Sequence, residues 1–259
     1  MRSADLQGQL WSHGARDWAE LQEPMHAPLW LSMLDAAGVA EDTHVCDVGC
    51  GGGGASVLAA RRGARVSGID AASALIEVAR ERLPEADLRV GDMEALPFPD
   101  QGFDAVIAAN SIQYSHNRVA ALAELGRVCR PQGTIVVGLW GPPNKVEFRA
   151  FFGAVRDALP EPPPGKGPFE LSEPGVLSDM LREAGLEVTG TGEIECPFSY
   201  TDFETFWRAN VSAGPIQAAL ASIGEAELKE AVRFALAERE SSDGHLMFQN
   251  TFQFVVTSP

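Results

Sequence analysis

The chain has 259 residues, 45% of them hydrophobic and 22% charged, with a formal net charge of −16. This length and composition predict one globular domain with insertions. Such an acidic surface repels phosphate backbones and anionic lipid, so we expect no nucleic-acid partner and no membrane partner. The four cysteines form no C-x-x-C pair, and residues 1–9 lack the apolar core of a signal peptide. We therefore expect a reduced, cytoplasmic protein without a metal site.

The N-terminal segment is predicted to be helical over residues 5–38, because apolar residues recur there at helix-like spacing. Pro24 and Pro28 interrupt the pattern, and Gly38 ends it.

From residue 43 onward, short apolar runs alternate with helical segments, two of which are predicted to be capped by Ser73 and Asn117. This alternation predicts an α/β fold with a Rossmann-like, doubly wound, seven-stranded sheet. We expect the sheet to be mostly parallel, with a final antiparallel strand. The predicted strands are 45–48, 64–69, 88–90, 105–109, 134–140 (after a turn at 131–133), 187–197 and 246–257.

The whole chain, 1–259, is predicted to be a single domain. Two helical insertions leave from the carboxyl edge of the sheet, where open α/β sheets bind ligands, and we interpret them as a lid. The alternative is that they only cover the sheet. The predicted segments are a binding core (41–141), the end of the sheet (172–199 and 244–259), an N-terminal lid (1–40) and two lid insertions (142–171, with its run of three prolines at 162–164, and 200–243).

A glycine-rich turn follows the first predicted strand. Gly49, Gly51 and Gly54 satisfy G-x-G-x-x-G, a weak match in so glycine-rich a segment. Asp47 is more informative, because a dinucleotide would place its pyrophosphate close to this carboxylate. At roughly 5 Å and an effective dielectric constant of about 20, each such pair of like charges costs about 3 kcal/mol. The pattern D-x-G-x-G therefore favours a cationic ligand, S-adenosylmethionine (SAM), over NAD.

Acidic residues also end the next two strands. Asp70 is positioned to accept hydrogen bonds from both hydroxyls of a ribose, as in NAD enzymes. Asp92 can accept from an adenine amino group, and Met93 offers a soft apolar face to the ring. Three such residues in register at successive strand ends predict an adenosine-containing ligand.

These segments resemble the class I SAM-dependent methyltransferases that act on small molecules in bacteria. The similar stretches are 47–51, 68–70, 91–98 with 103–104, and 127–133, where Gln132 replaces a glycine usual in the family. The resemblance implies a set of cofactor-binding residues. They are Asp47, Gly49, Cys50, Gly51 and Asn110 toward the methionine moiety, Asp70 and Ala71 at the ribose, and Asp92 and Met93 at the adenine.

The segment 110–117 is expected to open onto the sulfonium and to supply the catalytic groups. His116 is the first candidate for a general base, although it can also be a surface histidine before a helix. Tyr114 either orients the acceptor or packs in the pocket wall. His26 is a weaker candidate that could reach the pocket mouth. Aromatic residues of the lid suit a flat or apolar acceptor, or form the core of the lid.

Together these features predict an enzyme that transfers a methyl group from SAM to O, N or C of a small, apolar or aromatic metabolite. The product S-adenosylhomocysteine (SAH) would leave, no metal would take part, and the protein would be a monomer or homodimer acting in secondary metabolism. The alternatives are a SAM-binding enzyme that does not methylate, such as a cyclase, and an NAD-dependent oxidoreductase.

Overall fold

The computed structural model describes residues 3–162, 165 and 167–259. Most strands lie close to their predicted positions. They are β1 (His44–Val48), β2 (Arg65–Asp70), β3 (Asp87–Val90), β4 (Phe103–Ala109), β5 (Cys129–Trp140), β6 (Glu187–Glu195), β7 (Phe198–Tyr200), β8 (Leu246–Phe248) and β9 (Thr251–Ser258).

The main sheet has seven strands in the order β3-β2-β1-β4-β5-β9-β6. Strands β1 to β5 pair in parallel, whereas β9 runs antiparallel to both β5 and β6. The central strand β1 is buried along almost its whole length, as expected for a parallel strand covered by helices on both faces. The predicted Rossmann-like, doubly wound fold class is therefore confirmed.

Helices cover both faces of the sheet, and their amphipathic sequences explain which sides are buried. The α-helices are α1 (Ser3–Ser12), α2 (Ala15–Asp17), α3 (Ala27–Ala36), α4 (Gly54–Ala60), α5 (Ser73–Arg82), α6 (Arg118–Val128), α7 (Arg149–Ala158), α8 (Val176–Glu183), α9 (Phe203–Val211), α10 (Gly214–Ile223) and α11 (Glu225–Leu236). A π-helical turn (Trp18–Gln22) and 3₁₀ turns (Glu23–His26, Ile112–Tyr114, Pro143–Lys145, Gly167–Ser172 and Ala237–Arg239) complete the helical elements.

The predicted final strand is divided in two. Strand β8 pairs with β7 in a separate two-stranded sheet, and only β9 joins the main sheet. The division falls at Asn250, a buried residue whose Oδ1 accepts a hydrogen bond from the backbone N–H of Phe148 at 3.0 Å. The side chain of Asn250 thus bonds to the backbone of a distant segment at the point where the predicted single strand is divided.

The predicted helix caps and the predicted turn before the fifth strand were only partly correct. Asn117 caps α6 by accepting from the N–H of Ala120 at 3.0 Å, as predicted. The prediction for Ser73 was wrong, because Ala72 occupies the N-cap and Ser73 is the first helical residue. Residues 131–133 fall within the bounds of β5 rather than before it. The pairing with β4 passes from Phe103–Cys129 to Ala105–Thr134, so β5 has a local irregularity at the place of the predicted turn.

Two further observations concern the segments outside the sheet. No helix in the described part of the chain is long and apolar enough to cross a bilayer. Within the predicted proline run, Pro163 and Pro164 lie outside the described residues.

Candidate active site

A large cavity opens where β1 to β5 end, enclosing about 1380 Å³ of empty space when its open mouth is included. We refer to two parts of it. The carboxylate side is lined by Glu23, Asp47, Gly49, Gly51, Asp70, Ala71, Asp92 and Met93, and the aromatic side by His26, Trp30, Trp140, Phe148, Phe151 and Phe152.

The glycine loop of residues 49–53 is packed tightly against the end of β4. Gly49 has φ 78°, and a Cβ built on it would lie 2.2 Å from Cβ of Ser111. The hydroxyl of Ser111 donates to the carbonyl of Val48 at 2.7 Å and holds the two strand ends together. Only glycine tolerates both this backbone conformation and this close approach.

Asp70 organises the loop from the end of β2. Its two carboxylate oxygens accept hydrogen bonds from the N–H groups of Gly51 and Ala72, each at 2.9 Å. Burial raises the pKa of Asp70, while these backbone donors act in the opposite direction. The side chain lines the cavity and is positioned to accept further hydrogen bonds from a ligand.

Asp47 lies beneath the loop. It is only 1% exposed, and its carboxylate accepts a hydrogen bond from Oγ of Ser56 at 2.7 Å. Burial raises the pKa of Asp47 to about 7, so its negative charge is not fully present at neutral pH. Asp47 still lines the cavity, but part of its role is to tie β1 to α4.

Glu23 is the carboxylate that contacts the loop most directly, and the sequence did not single it out. Its Oε1 accepts from the N–H of Gly52 at 2.6 Å, and its Oε2 pairs with Arg82 Nη1 at 2.9 Å. Arg82 also donates to the carbonyls of Gly52 and Ala19, each at 2.8 Å. Glu23 precedes Pro24 in the break between the N-terminal helices, and that position was the only available signal.

Buried amides without partners face the same cavity. In residues 3–162, 165 and 167–259, the buried side-chain atoms that lack a hydrogen bond are Gln7 Oε1, Asn110 Oδ1, and Oε1 and Nε2 of Gln113. Asn110 also has φ 52°, an uncommon conformation for a residue other than glycine. Unpaired buried polar groups are costly, and three of them around one cavity indicate a polar ligand that would satisfy them.

The remaining predicted cofactor residues line the cavity as well. Asp92 follows β3 and uses Oδ1 to accept from the N–H of Glu94 at 3.0 Å, which leaves its other oxygen available. Met93 lies beside it and packs against the apolar core. Ala71 is covered by α1, because a Cβ on Gly8 would approach the carbonyl oxygen of Ala71 to 2.5 Å. Cys50 is buried behind the loop.

The aromatic side is a continuous wall of rings. Trp140 stacks on Phe252 with centroids 4.4 Å apart and on Phe148 at 5.9 Å. Phe148 in turn contacts Phe151 and Phe152, at 5.2 and 5.3 Å. These residues come from β5, β9 and α7 with the turn before it, so chain segments far apart in sequence build one apolar surface.

His26 lies within this wall and is only 5% exposed. Its ring is 5.8 Å from that of Trp30 and 5.1 Å from that of Phe198. Nδ1 lies 3.3 Å from the carbonyl oxygen of Gln22, and since a carbonyl can only accept, this contact favours the tautomer with the proton on Nδ1. Nε2 therefore keeps a free lone pair. Burial lowers the pKa of His26 to about 4, which keeps the ring neutral at physiological pH.

The two predicted catalytic residues are separated by the fold. Tyr114 lines the cavity, its ring lies 5.4 Å from that of Trp11, and burial raises its pKa to about 12. His116 is exposed and lies on the outer surface, where its backbone N–H donates to Glu94 Oε1 at 2.7 Å. It does not line the cavity, so its placement gives no support to the predicted role as a base.

The donor set suits SAM. Carboxylates at the ends of β1 and β2, the acidic residue after β3 and the unpaired amides match a cofactor with cationic groups, a ribose and an adenine. No group of three or more His, Cys, Asp or Glu side chains that could hold a metal ion is found among the described residues.

Comparisons with known proteins agree with this geometry. A methyltransferase domain model matches residues 46–137. An uncharacterized protein of Mycobacterium tuberculosis is 32% identical over 218 residues, which cover 79% of this chain and 78% of that protein. Another protein of the same organism is 37% identical over 135 residues, or 51% of this chain and 48% of its own length. This chain thus matches about half the length of that relative.

A third relative has a named activity. The demethylmenaquinone methyltransferase of Renibacterium salmoninarum is 34% identical over 120 residues, covering 46% of this chain and 51% of that enzyme. The family model and these relatives show that the chain belongs to the class I SAM-dependent methyltransferases.

Solved structures show the same fold. The YcgJ protein of Bacillus subtilis superposes with a TM-score of 0.59 at 17% identity, over 90% of this chain and 98% of that one. The [4+2]-cyclase SpnF superposes with a TM-score of 0.56 at 20% identity, over 89% and 80%. At such low identity these similarities concern the fold alone.

Proposed function

We propose that this protein transfers a methyl group from SAM to a small, apolar or aromatic metabolite. The observation that carries the proposal is the single cavity that joins a carboxylate side, suited to the cofactor, to an aromatic side, suited to the acceptor. A bound SAM supplies a methyl group that is already activated by its sulfonium. The chain's own contribution is mainly to position the two molecules and to exclude water.

On this proposal the carboxylate side holds the cofactor along the strand ends. Asp70, beside Ala71, accepts from the ribose hydroxyls, and Asp92 and Met93 contact the adenine. The glycine loop, with Asp47 and Cys50, and the free oxygen of Asn110 lie toward the methionine moiety. The unpaired Oδ1 of Asn110 and its strained backbone support this role, because strain persists where surrounding structure enforces it for function.

On the aromatic side, His26 is our candidate for the base, in place of His116. Its Nε2 would take up the proton of an acceptor hydroxyl when that oxygen receives the methyl group in place of the cofactor's sulfur. An oxygen that is being alkylated becomes strongly acidic, so even a weakly basic imidazole suffices. The backbone carbonyl of Gln22 contacts the ring, and the side chain of Gln22 is itself held by accepting from the buried hydroxyl of Tyr200 at 2.7 Å. A hydroxyl-bearing aromatic acceptor is therefore favoured.

Unfolding measurements with added ligand test the cofactor assignment. SAM or SAH at 100 times its dissociation constant should raise the free energy of unfolding by about 2.7 kcal/mol, whereas NAD should have no effect. Stabilisation by NAD without stabilisation by SAM or SAH would overturn the proposal.

Product analysis tests the reaction type. A methyltransferase adds one CH₂ to its acceptor and converts SAM to SAH, whereas a cyclase that only binds SAM leaves the cofactor intact. The protein is incubated with SAM and a mixture of small hydroxylated aromatic compounds. Mass spectrometry should then show an acceptor with the added mass, together with SAH. Turnover of an acceptor with no consumption of SAM would instead support the cyclase alternative.

A further inference from the structure

The carboxylate of Glu23 lies against the glycine loop and takes up one of its backbone N–H groups. Loops of this kind bind phosphates through exposed backbone N–H groups. Here the N–H of Gly52 already donates to Glu23 Oε1 at 2.6 Å. A Cβ built on Gly51 would lie 2.6 Å from the same oxygen, so the carboxylate lies directly against the loop.

Arg82 anchors this carboxylate from the opposite side. It donates to Glu23 Oε2 and also to the carbonyls of Gly52 and Ala19, so one guanidinium joins α5, the loop and the N-terminal segment. Glu23 is only 4% exposed, so its position is fixed by its surroundings. The N-terminal segment thus places a carboxyl group against the loop before any ligand arrives.

The charge balance around the loop is negative. Three carboxyl groups lie near the loop, because Asp70 is close enough to raise the pKa values of both Glu23 and Asp47. Arg82 is the cation that pairs with Glu23. A diphosphate would meet both a blocked N–H and three carboxyl groups, whereas a cationic ligand would be attracted to them.

Resting on the proposed function, we propose that Glu23 is a specificity-determining residue that closes the glycine loop to phosphates and favours the cationic cofactor SAM. The carboxylate acts as a built-in substitute for the phosphate that such a loop could otherwise bind. It is supplied by a segment that lies outside residues 46–137, the part matched by the methyltransferase domain model.

The test compares Glu23→Ala, Glu23→Gln and the control Glu81→Ala by titration calorimetry with SAM and with inorganic pyrophosphate. Glu81 is an exposed carboxylate next to Arg82 in sequence that pairs with Arg16 instead, so its removal makes the same change in charge away from the loop. The wild-type protein and Glu81→Ala should bind SAM equally and should not bind pyrophosphate.

Glu23→Ala should bind SAM at least about tenfold more weakly, the effect of losing one charge-assisted interaction. It should also gain affinity for pyrophosphate, since the N–H of Gly52 and the guanidinium of Arg82 become available. Glu23→Gln should show the weaker SAM binding but little pyrophosphate binding, because its amide still covers the loop.

The outcomes separate this inference from the proposed function. If the wild-type protein fails to bind SAM, the proposed function is wrong. If the wild-type protein binds SAM, unchanged SAM affinity in Glu23→Gln together with no pyrophosphate binding in Glu23→Ala overturns the role of Glu23 alone. Should Glu23→Ala fail to fold, the SAM affinity of Glu23→Gln decides.

Discussion

The two sides of the cavity are built in different ways. The carboxylate side is formed largely by short motifs at the ends of consecutive parallel strands, so its residues are close in sequence to recognisable glycines and strands. The aromatic side combines side chains from the N-terminal segment, β5, and α7 with the residue before it, and Phe252 of β9 packs behind Trp140. The carboxylate side therefore depends on local backbone geometry, whereas the aromatic side depends on long-range packing.

The largest expected effect concerns the packing of the aromatic side. Phe148→Ala should lower the free energy of unfolding by about 3–5 kcal/mol, because a fully buried ring in contact with several others is removed. Urea unfolding measures the change. The matched control is Phe234→Ala, in which an 85% exposed ring is removed and a change within about 0.5 kcal/mol is expected. Equal effects of the two substitutions would contradict a structural role for this wall.

The two sides should also respond to pH in opposite directions. Burial lowers the pKa of His26 from 6.5 to about 4, so the unfolded state binds the proton more tightly and the protein loses stability as pH falls from 6.5 to 4. Burial raises the pKa of Glu23 from 4.5 to about 7, so the folded state binds the proton more tightly and stability increases as pH falls from 7 to 4.5. Each contribution is about 3 kcal/mol.

Urea unfolding over pH 4–8 separates these contributions. His26→Asn should lose less stability on acidification than the wild-type protein. Glu23→Gln should gain less, because only the contributions of Asp47 and Asp70, whose pKa values burial also raises, then remain. Arg82, Asp70 and Asp47 remain in both variants and provide a common background. Parallel pH profiles for the two variants would show that the opposite burial effects are absent.

A smaller effect is expected for the cofactor contacts. Asp70→Ala should weaken SAM binding by about 1.5–3 kcal/mol, or about 10- to 150-fold, because a charged acceptor that also holds the loop is lost. Calorimetry gives the affinity. Asp87→Ala removes an exposed carboxylate from the neighbouring strand, where it pairs with Arg89, and should leave the affinity unchanged. An unaltered dissociation constant for Asp70→Ala would remove this residue from the cofactor site.

The smallest effect is expected at His116, on the outer surface. His116→Ala should change the free energy of unfolding by no more than about 0.5 kcal/mol and should leave SAM affinity unchanged. The same two measurements on His26→Asn provide the contrast, since that substitution alters the buried wall. A marked loss of SAM affinity in His116→Ala would show that the segment 110–117 adopts a different arrangement when the cofactor binds.

Much of the fold was predictable because alternating strands and helices leave a strong local pattern. The exceptions have physical causes. The break within residues 246–257 falls at the polar residues 249–251, where the side chain of Asn250 accepts from the N–H of Phe148. The cap at Asn117 was recognised correctly, but at Ser73 the same kind of signal was wrong, because the carbonyl of Ala72 already accepts from the N–H groups of Leu75 and Ile76 and the helix starts one residue earlier.

The sequence by itself determined the sheet and the identity of its strand ends, since glycines and acidic residues at those positions follow from backbone geometry within a few neighbouring residues. Only the tertiary structure decided that Glu23 covers the glycine loop, that His26 rather than His116 lies in the cavity, and that the unpaired amides of Gln7 and Gln113 line it. These placements depend on packing between segments far apart in the chain, and no local pattern records such contacts.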